Sequence, residues 1–161
     1  MSNKDPLWAP WRVEYITKSD KMECIFCVNP DEDEDKKNYI IYRGEKVFAM
    51  LNKYPYNNGH IMVAPYTHKA KLEELSPEEL CEMMETVKFF TKKIEETMCA
   101  HGFNVGMNIG KVAGAGFAGH LHMHVVPRWS GDTNFMPVIC GQEVISEALE
   151  SVYNKLKTDK I

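Results

Sequence analysis

Three of the six histidines in this chain lie in the segment GHLHMHVVPRW (119–129), where they alternate with apolar residues. His120, His122 and His124 follow the two-residue repeat of a β-strand, which predicts that the three imidazoles share one face. The residues between them would face a core: Leu121, Met123 and Val125. Crowded imidazoles cannot all be protonated at low cost, and they tend to share protons, a metal ion or phosphate. The pattern therefore indicates a chemical site.

A glycine-rich segment, GKVAGAGFAG (110–119), comes directly before these histidines. Its glycines would let the backbone approach a ligand and turn N–H groups toward it, and Lys111 adds a positive charge. Histidine can attack phosphorus to form a phosphoramidate when one ring nitrogen is free and an acceptor holds the other. The combination predicts a phosphate-binding loop that faces a nucleophilic histidine.

The same histidines could instead hold a catalytic metal ion. A His-x-His pair on a strand can chelate zinc, with a third ligand from elsewhere and one position open for water. Spacing alone does not separate this interpretation from the nucleophilic one.

The sequence also contains a Cys-x-x-Cys pair in CIFC (24–27). An acidic segment follows it in place of the βαβ setting of a redox pair, which favours a metal-binding knuckle. A closed structural zinc site takes four ligands, so Cys24 and Cys27 leave two to be found. The candidates are His68 and one of the three alternating histidines. The alternative for His60, at the start of a predicted strand, is a position near those histidines.

Short apolar segments and one long amphipathic segment define the expected elements. Strands are predicted over 39–42, 46–51, 60–65 and 103–109, followed by the histidine strand. The long helix would cover 77–100, with Ser76 as N-cap, Glu79 completing a capping box and Gly102 as the stop. A last helix is predicted over 143–156. This order predicts an α+β domain with an antiparallel sheet of about five strands, one long helix and a C-terminal helix.

Length and composition limit the class of protein. At 161 residues, 44% hydrophobic and 26% charged, the chain is predicted to form a single domain over 1–161. Within it we distinguish an N-terminal segment with the cysteine pair (1–38), a core with the histidines (39–130) and a C-terminal segment (131–161). A net charge of −4 gives no indication of general nucleic-acid binding or of a membrane surface.

Two further features bear on location. No apolar run approaches the length of a membrane span, and the first residues lack the apolar region of a signal peptide. The five cysteines are an odd number, which argues against a secreted disulfide framework. A cytoplasmic protein is expected.

The histidine segment resembles that of a known family. HLHMHVV (120–126) has the alternating pattern of the histidine triad family of nucleotide hydrolases and transferases. FAMLNKYPYNNGHIMVAP (48–65) is similar to the strand–turn–strand unit that begins the family's nucleotide pocket, and SPEEL (76–80) opens a helix where the family has its long one. NIG (108–110) and HVVPRW (124–129) continue the resemblance. It implies a HIT-like fold and a nucleotide substrate.

The resemblance also implies a role for individual residues. His122 would be the nucleophile that takes the α-phosphate of a nucleotide and forms a covalent histidine–nucleoside monophosphate intermediate. Water, phosphate or another acceptor would then release it. His124 would orient phosphate oxygens, and His60 would lie beside the active site. The remaining substrate contacts would come from Asn52 at the ribose and from Asn108, Gly114 and Gly116 at the phosphate.

Members with a Cys-x-x-Cys pair resemble the galactose-phosphate uridylyltransferase relatives, which bind zinc through both cysteines and two histidines. By position, the ligands in this chain would be Cys24, Cys27, His68 and His120. One structural zinc ion per chain would then tie the N-terminal segment to the histidine strand. Such members are commonly homodimers, and the apolar surface of the helix over 77–100 would serve as the interface.

The chain departs from the family pattern at one point. Many members have a Gln-Ser/Thr pair just before the triad, where this chain has Gly116 and Phe117. LWAPWR (7–12) and PRWSGDTNF (127–135) look more like a bacterial branch similar to diadenosine tetraphosphate phosphorylases, so dinucleoside polyphosphates are the expected substrates. Three alternatives stay open at this point: a nucleoside phosphoramidase, a zinc-dependent hydrolase and a nucleotide-binding module without turnover.

Overall fold

The computed structural model describes residues 24–31, 34–132 and 147–161. The first helices are α1 (Ile25–Asp31) and α2 (Asp35–Asn38), followed by strands β1 (Ile40–Arg43), β2 (Val47–Leu51) and β3 (Ile61–Pro65). Next come a short 3₁₀ turn (Leu72–Glu74), the long helix α3 (Pro77–Met98) and strand β4 (Gly102–Met107). A second 3₁₀ turn (Lys111–Ala113), strand β5 (Met123–Arg128) and helix α4 (Leu149–Leu156) complete the described elements.

The five strands form one sheet in the order β1-β2-β3-β5-β4, and every neighbouring pair is antiparallel. The predicted α+β class, the sheet of about five strands and the long helix are confirmed. In the register between β3 and β5, Met62 lies opposite His124. Directly opposite residues of an antiparallel pair share a face. His124 therefore lies on the Met62 face of the sheet.

The two faces of the sheet are buried by different layers. On β2, Val47, Ala49 and Leu51 belong to the core that includes α3, whereas Phe48 and Met50 belong to a second cluster. That second cluster also contains Met62 of β3 and Phe26 of α1. Strand residues alternate between faces, so the histidine face is the one opposite the long helix.

Helix α3 packs one apolar face into the core on its side of the sheet. Its buried apolar residues recur at helical spacing: Met83, Val87, Phe90 and Ile94. Met84 on the same helix stays 52% exposed. The apolar face of α3 therefore lies mainly in the core, and helix α4, whose Val152 and Leu156 belong to the same cluster, packs against it. Within the described ranges, no helix combines the length and the apolar character needed to cross a membrane.

The end of helix α3 and the start of helix α4 both differ from the sequence prediction. Helix α3 ends at Met98, and Cys99 adopts the left-handed conformation with φ of 53°, so the stop precedes Gly102, which opens β4 opposite Arg128. Helix α4 begins at Leu149 with Ala148 as its N-cap, later than the predicted 143. Positions 143–146 lie outside the described residues, and the carboxylate of Glu147 accepts a hydrogen bond from Ser151 in the first turn.

The capping box of α3 also fixes the loop that carries His68. Ser76 Oγ accepts the backbone N–H of Glu79 at 3.2 Å, and the Glu79 carboxylate accepts the Ser76 N–H at 2.6 Å. The same carboxylate accepts Thr67 Oγ1–H at 2.6 Å and pairs with Lys69 Nζ at 2.7 Å. Because Thr67 and Lys69 flank His68, one buried carboxylate joins the helix start to that loop.

The loop between β2 and β3 is fastened to the end of β5. Asn57 Nδ2 donates to the carbonyl of Pro127 at 3.1 Å and to Asp132 Oδ2 at 2.9 Å. Gly59 has φ of +73°, and a Cβ there would lie 3.1 Å from Met98 Sδ, so both conformation and space favour glycine. These contacts hold the residues that precede His60.

Glu79 is expected to contribute stability that depends on pH. Burial alone would raise the pKa of Glu79, but hydrogen bonds from Lys69, Thr67 and Ser76 outweigh it and hold that pKa at about 2. Since the folded pKa lies below its ordinary value of 4.5, the contribution is complete above pH 4.5 and declines as the pH falls toward 2. We expect Glu79→Gln to lower the free energy of unfolding by about 2 kcal/mol at pH 7, as measured by urea titration.

The pH series provides the control for that measurement. The difference between wild type and Glu79→Gln should shrink below pH 4.5, whereas exposed Glu95→Gln on the same helix should change stability little at any pH. Equal losses for the two variants at pH 7 would contradict the assigned role of Glu79.

Candidate active site and metal centre

The histidine segment reaches the sheet later than its spacing predicts. Strand β5 begins at Met123, so His120 and His122 precede it rather than lie within it. His120 Nε2 donates to the carbonyl of Pro65, the last residue of β3, at 2.9 Å. The imidazole of His120 therefore occupies the carbonyl at the end of β3. The next residue, Leu121, donates its backbone N–H to the carbonyl of Lys69 at 2.6 Å. The alternation still holds, because Leu121 and Val125 are buried in the core beside α3.

His60 and His124 form a hydrogen-bonded pair on this face. His60 Nε2 lies 2.9 Å from His124 Nδ1, and the Tyr56 backbone N–H donates to His60 Nδ1 at 3.1 Å. A backbone N–H can only donate, so His60 Nδ1 is the acceptor and, in the neutral ring, Nε2 carries the proton. His124 Nδ1 then accepts, which places the His124 proton on Nε2. One backbone donor therefore sets both tautomers.

Asn52 supports the same orientation. Its Oδ1 accepts the Tyr54 N–H at 2.9 Å, which leaves Nδ2 as the group that lies 3.3 Å from His60 Nδ1. Burial, followed by the neighbouring His124 and His122, lowers the pKa of His60 to about 3. His60 is thus neutral at pH 7. The structure places Asn52 against His60, while its predicted contact with a ribose stays a prediction.

His122 is held in the opposite tautomer. Its Nδ1 donates to the carbonyl of His120 at 2.9 Å, which leaves the lone pair on Nε2. Burial lowers the pKa of His122, although the hydrogen bond to His120 partly raises it. The His122 and His124 ring centroids are 4.8 Å apart. A nitrogen lone pair and an N–H donor therefore lie on adjacent rings.

The predicted metal ligands come together in one cluster. Cys27 Sγ lies 3.2 Å from His68 Nδ1 and 3.4 Å from His120 Nδ1, and Cys24 Sγ lies 3.4 Å from the same His120 atom. The four ligand atoms all lie within 4.8 Å of one another. Cys24, Cys27, His68 and His120 could therefore hold a metal ion.

The chemistry of this cluster suits a tetrahedral ion with sulfur and nitrogen ligands. Tetrahedral Zn–S bonds of about 2.3 Å and Zn–N bonds of about 2.0 Å would separate sulfur from nitrogen by about 3.5 Å, close to the distances between these atoms. His120 donates its Nε2 proton to Pro65, which leaves Nδ1 unprotonated toward the cysteines. Burial, more than offsetting the bond to Pro65, lowers the pKa of His120 to about 4, so the ring is neutral.

The glycine-rich loop is held partly by hydrogen bonds of its own. Gly110 and Gly114 have positive φ angles of 85° and 90°, and the N–H of Gly114 donates to Lys111 within the loop. Asn108 Nδ2 lies 3.5 Å from the carbonyl of Gly114, a long contact. Gly116 is half-buried in the bend that follows. The proposed phosphate contacts of Asn108, Gly114 and Gly116 stay predictions.

Phe26 is a site residue that the sequence prediction missed. Its ring stacks on His122 with a centroid distance of 4.5 Å and an interplanar angle of 28°, and it lies 5.2 Å from the His120 ring. The signal was its position between Cys24 and Cys27. Because both cysteines cluster with His120, a residue between them must lie close to the histidine segment.

The hydrogen bonds predict which nitrogen carries the proton in each ring. Long-range ¹H–¹⁵N correlation spectra at pH 7 should find Nε2–H for His60 and His120 and Nδ1–H for His122, because Tyr56, Pro65 and His120 provide the fixed partners. Urea-unfolded protein should show the tautomer mixture of free imidazole. An Nε2–H signal for folded His122 would contradict the assignment.

Comparison with known proteins agrees with the fold and the histidine pattern. The HIT domain profile matches residues 33–131. An AP-4-A phosphorylase from Mycobacterium tuberculosis is 39% identical over 161 aligned residues, which cover 95% of this chain and 83% of that protein. Among solved structures, a Zn-bound histidine triad family protein from Mycobacterium smegmatis superposes with a TM-score of 0.67 at 28% identity, covering 84% of this chain and 91% of that one.

A second solved structure agrees with the match to the HIT domain. A hypothetical histidine triad nucleotide-binding protein from Sulfolobus tokodaii matches with a TM-score of 0.66 at 32% identity, over 83% of this chain and 89% of that one. The sequence match spans most of the chain, and the fold and the spacing of the three histidines agree with it. The chain belongs to the HIT domain family, whose members include nucleotide hydrolases and transferases.

Proposed function

We propose that this chain is a nucleotide hydrolase or transferase that cleaves dinucleoside polyphosphates through a nucleoside monophosphate bound covalently to His122. The observation that carries the proposal is the hydrogen bond from His122 Nδ1 to the His120 carbonyl, which leaves the Nε2 lone pair for attack. The 39% identity to the mycobacterial AP-4-A phosphorylase supports this class of substrate.

The first step transfers the nucleotide to the enzyme. The Nε2 lone pair of His122 attacks the α-phosphorus, so an N–P bond forms while the P–O bond to the rest of the substrate breaks and its electrons leave with that oxygen. As the ring becomes positively charged, its Nδ1–H is held more strongly by the His120 carbonyl. His124 Nε2–H, kept in place by His60, is positioned to donate to a phosphoryl oxygen.

The second step regenerates the enzyme. Water or inorganic phosphate attacks the same phosphorus, the N–P bond breaks, and its electron pair returns to Nε2. With diadenosine tetraphosphate, the first step releases ATP. The second step releases AMP when water is the acceptor or ADP when phosphate is the acceptor, with the proton of the attacking group passing to solvent.

The surroundings of Phe117 favour a phosphate leaving group over an amine. No serine, threonine or tyrosine lies between Gly110 and His120, and Phe117 packs edge-on against Phe26 at 6.0 Å. An amine must be protonated as it leaves, whereas the terminal oxygen of a polyphosphate, with a pKa of about 6, is a stable anion near neutral pH. We therefore infer dinucleoside polyphosphates rather than phosphoramidates.

We also propose that the metal in the cluster is zinc and that its role is structural. Cys24, Cys27, His68 and His120 would hold it, and it would cross-link α1 to the histidine segment. Four protein ligands are typical of structural zinc, while catalytic zinc keeps a position for water. The thiolates of Cys24 and Cys27 need a reducing compartment, which supports a cytoplasmic location.

We further infer that the protein acts as a homodimer. Exposed Met84 on α3 and Val105 on β4, an edge strand of the sheet, provide apolar surface for a second copy. Both lie away from the cysteine–histidine cluster in the sequence. No part of the two-step reaction described above depends on this assembly.

Replacement of the nucleophile tests the covalent route. We expect His122→Ala to cleave diadenosine tetraphosphate about 10³-fold more slowly or worse, because the N–P intermediate cannot form. Exposed His101→Ala should retain wild-type activity. The measurement is chromatography of products with and without inorganic phosphate, together with mass spectrometry for an AMP adduct on wild-type protein.

The products distinguish the possible activities. ATP and ADP formed only with phosphate indicate a phosphorylase, whereas ATP and AMP in both reactions indicate a hydrolase. Full activity of His122→Ala would contradict the covalent route. Tight nucleotide binding with no product would favour a binding module.

Metal analysis tests the structural role of the cluster. We expect one zinc ion per chain, and its removal by a chelator should lower the unfolding temperature by roughly 10 °C, because metal binding contributes directly to folding. Cys27→Ser should lose the metal and show the same decrease in unfolding temperature. Exposed Cys81→Ser should keep the metal and the wild-type unfolding temperature. Chelation that stops turnover without changing the unfolding temperature would indicate a catalytic metal instead.

A further inference from the structure

Phe26 links the cysteine pair to the histidine proposed as nucleophile. The ring is 1% exposed and lies nearly parallel to the His122 imidazole, with 4.5 Å between centroids and 28° between planes. It also lies 5.2 Å from the ring of His120, one of the four cluster residues. One side chain therefore contacts both the metal cluster and the reactive ring.

The Phe26 ring is itself held in place. Phe117 of the glycine-rich loop packs against it edge-on, with centroids 6.0 Å apart and an angle of 82°. Around it, the second core cluster includes Ile40, Met50 and Met62 from three strands of the sheet. Cys24 and Cys27, on either side of Phe26, both lie within hydrogen-bonding distance of His120. A ring confined in this way can restrain its neighbour.

His122 needs such a restraint. Its hydrogen bond to the His120 carbonyl restrains the imidazole but still tolerates some rotation about the Cβ–Cγ bond, a torsion that is intrinsically broad for histidine. Rotation about that bond would move Nε2 away from the direction of attack. A displacement of about 1 Å in a reacting group can cost about 10²-fold in rate. Stacking against a fixed aromatic ring restricts this rotation without occupying either nitrogen.

We propose that Phe26 is a positioning residue for His122, carried by the metal-binding knuckle and pressed against the imidazole that attacks the nucleotide. The proposal rests on the proposed function of His122. Phe26 touches neither the phosphorus nor the leaving group in this role. It acts by keeping the imidazole plane fixed, so the cysteine pair contributes to catalysis through packing.

The experiment compares two buried phenylalanines of the same cluster. Phe26→Leu removes the ring that stacks on His122, while Phe48→Leu removes an equally buried ring that packs against Tyr66 at 5.3 Å. Three quantities are measured for both variants. They are the single-turnover rate of AMP transfer to His122, the metal content, and the ring ¹H–¹⁵N signals of His122 without nucleotide.

We expect Phe26→Leu to lower the transfer rate about 10-fold to 100-fold and to broaden or shift the His122 ring signals, with metal content unchanged. Phe48→Leu should change the rate less than about threefold and leave those signals in place. Phe26→Tyr, which keeps the ring, should restore the wild-type signals and most of the rate. If Phe26→Leu does not fold, Phe26→Met, which is similar in volume and more flexible, replaces it.

Two results would overturn the proposal: unchanged His122 signals and rate in Phe26→Leu, or the same loss in Phe48→Leu. The ring spectra are recorded without nucleotide and do not depend on turnover. If His122→Ala kept full activity, the covalent function would fail, but the spectra would still report whether Phe26 orients His122. The two failures are therefore distinguishable.

Discussion

The backbone carbonyl of His120 accepts a hydrogen bond from Nδ1 of His122 at 2.9 Å, and this bond determines which nitrogen of His122 keeps its lone pair. The imidazole ring of His120 is itself held through both of its nitrogen atoms. Its Nε2 donates to Pro65 and its Nδ1 faces two cysteines. A displacement of His120 would therefore change the metal cluster and the reactive tautomer of His122 together. Under the proposed function, this double use would let a metal bound to the cluster affect the reaction without touching a phosphate.

The sheet imposes the second constraint. Because β2 and β3 alternate between two buried faces, the long helix and the histidines lie on opposite sides of the same strands. The loop that carries His68 must then reach the cluster from the end of β3. Glu79 holds that loop by accepting hydrogen bonds from Thr67 and Lys69 while it caps α3. The hydrogen bonds that stabilise the start of α3 thus also position His68, a candidate metal ligand on the opposite face of the sheet.

Much of this arrangement could be predicted from the sequence, because it depends on local periodicity. The alternation of His120, His122 and His124 with apolar residues predicted that the imidazoles share one face, and that face is opposite the core beside α3. The Ser76–Glu79 capping box is likewise local, and it was predicted correctly. The Cys24–Cys27 spacing indicated a metal knuckle, and the cluster of four ligand atoms agrees with that interpretation.

Other features depend on contacts between distant segments, and the sequence could not reveal them. Strand β5 starts only at Met123, and the Pro65 carbonyl accepts the imidazole N–H of His120 in place of a backbone N–H, a choice between two donors that has no local signature. Glycine is the usual signal for a helix stop, but Cys99 takes the left-handed conformation without it. The stacking of Phe26 on His122 joins residues 96 positions apart.

The tautomers suggest why three histidines in one segment do not interfere with one another. His120 and His122 direct their protons to backbone carbonyls, and the proton of His60 is directed to His124 by the N–H of Tyr56. Burial lowers the pKa values of His60 and His120 to about 3 and about 4, so both rings are neutral near pH 7. Neutral rings avoid the mutual repulsion that crowded imidazolium ions would suffer. Each ring can then present a different atom, a ligand nitrogen on His120, a lone pair on His122 and an N–H donor on His124, because fixed backbone groups rather than pH determine where the protons lie.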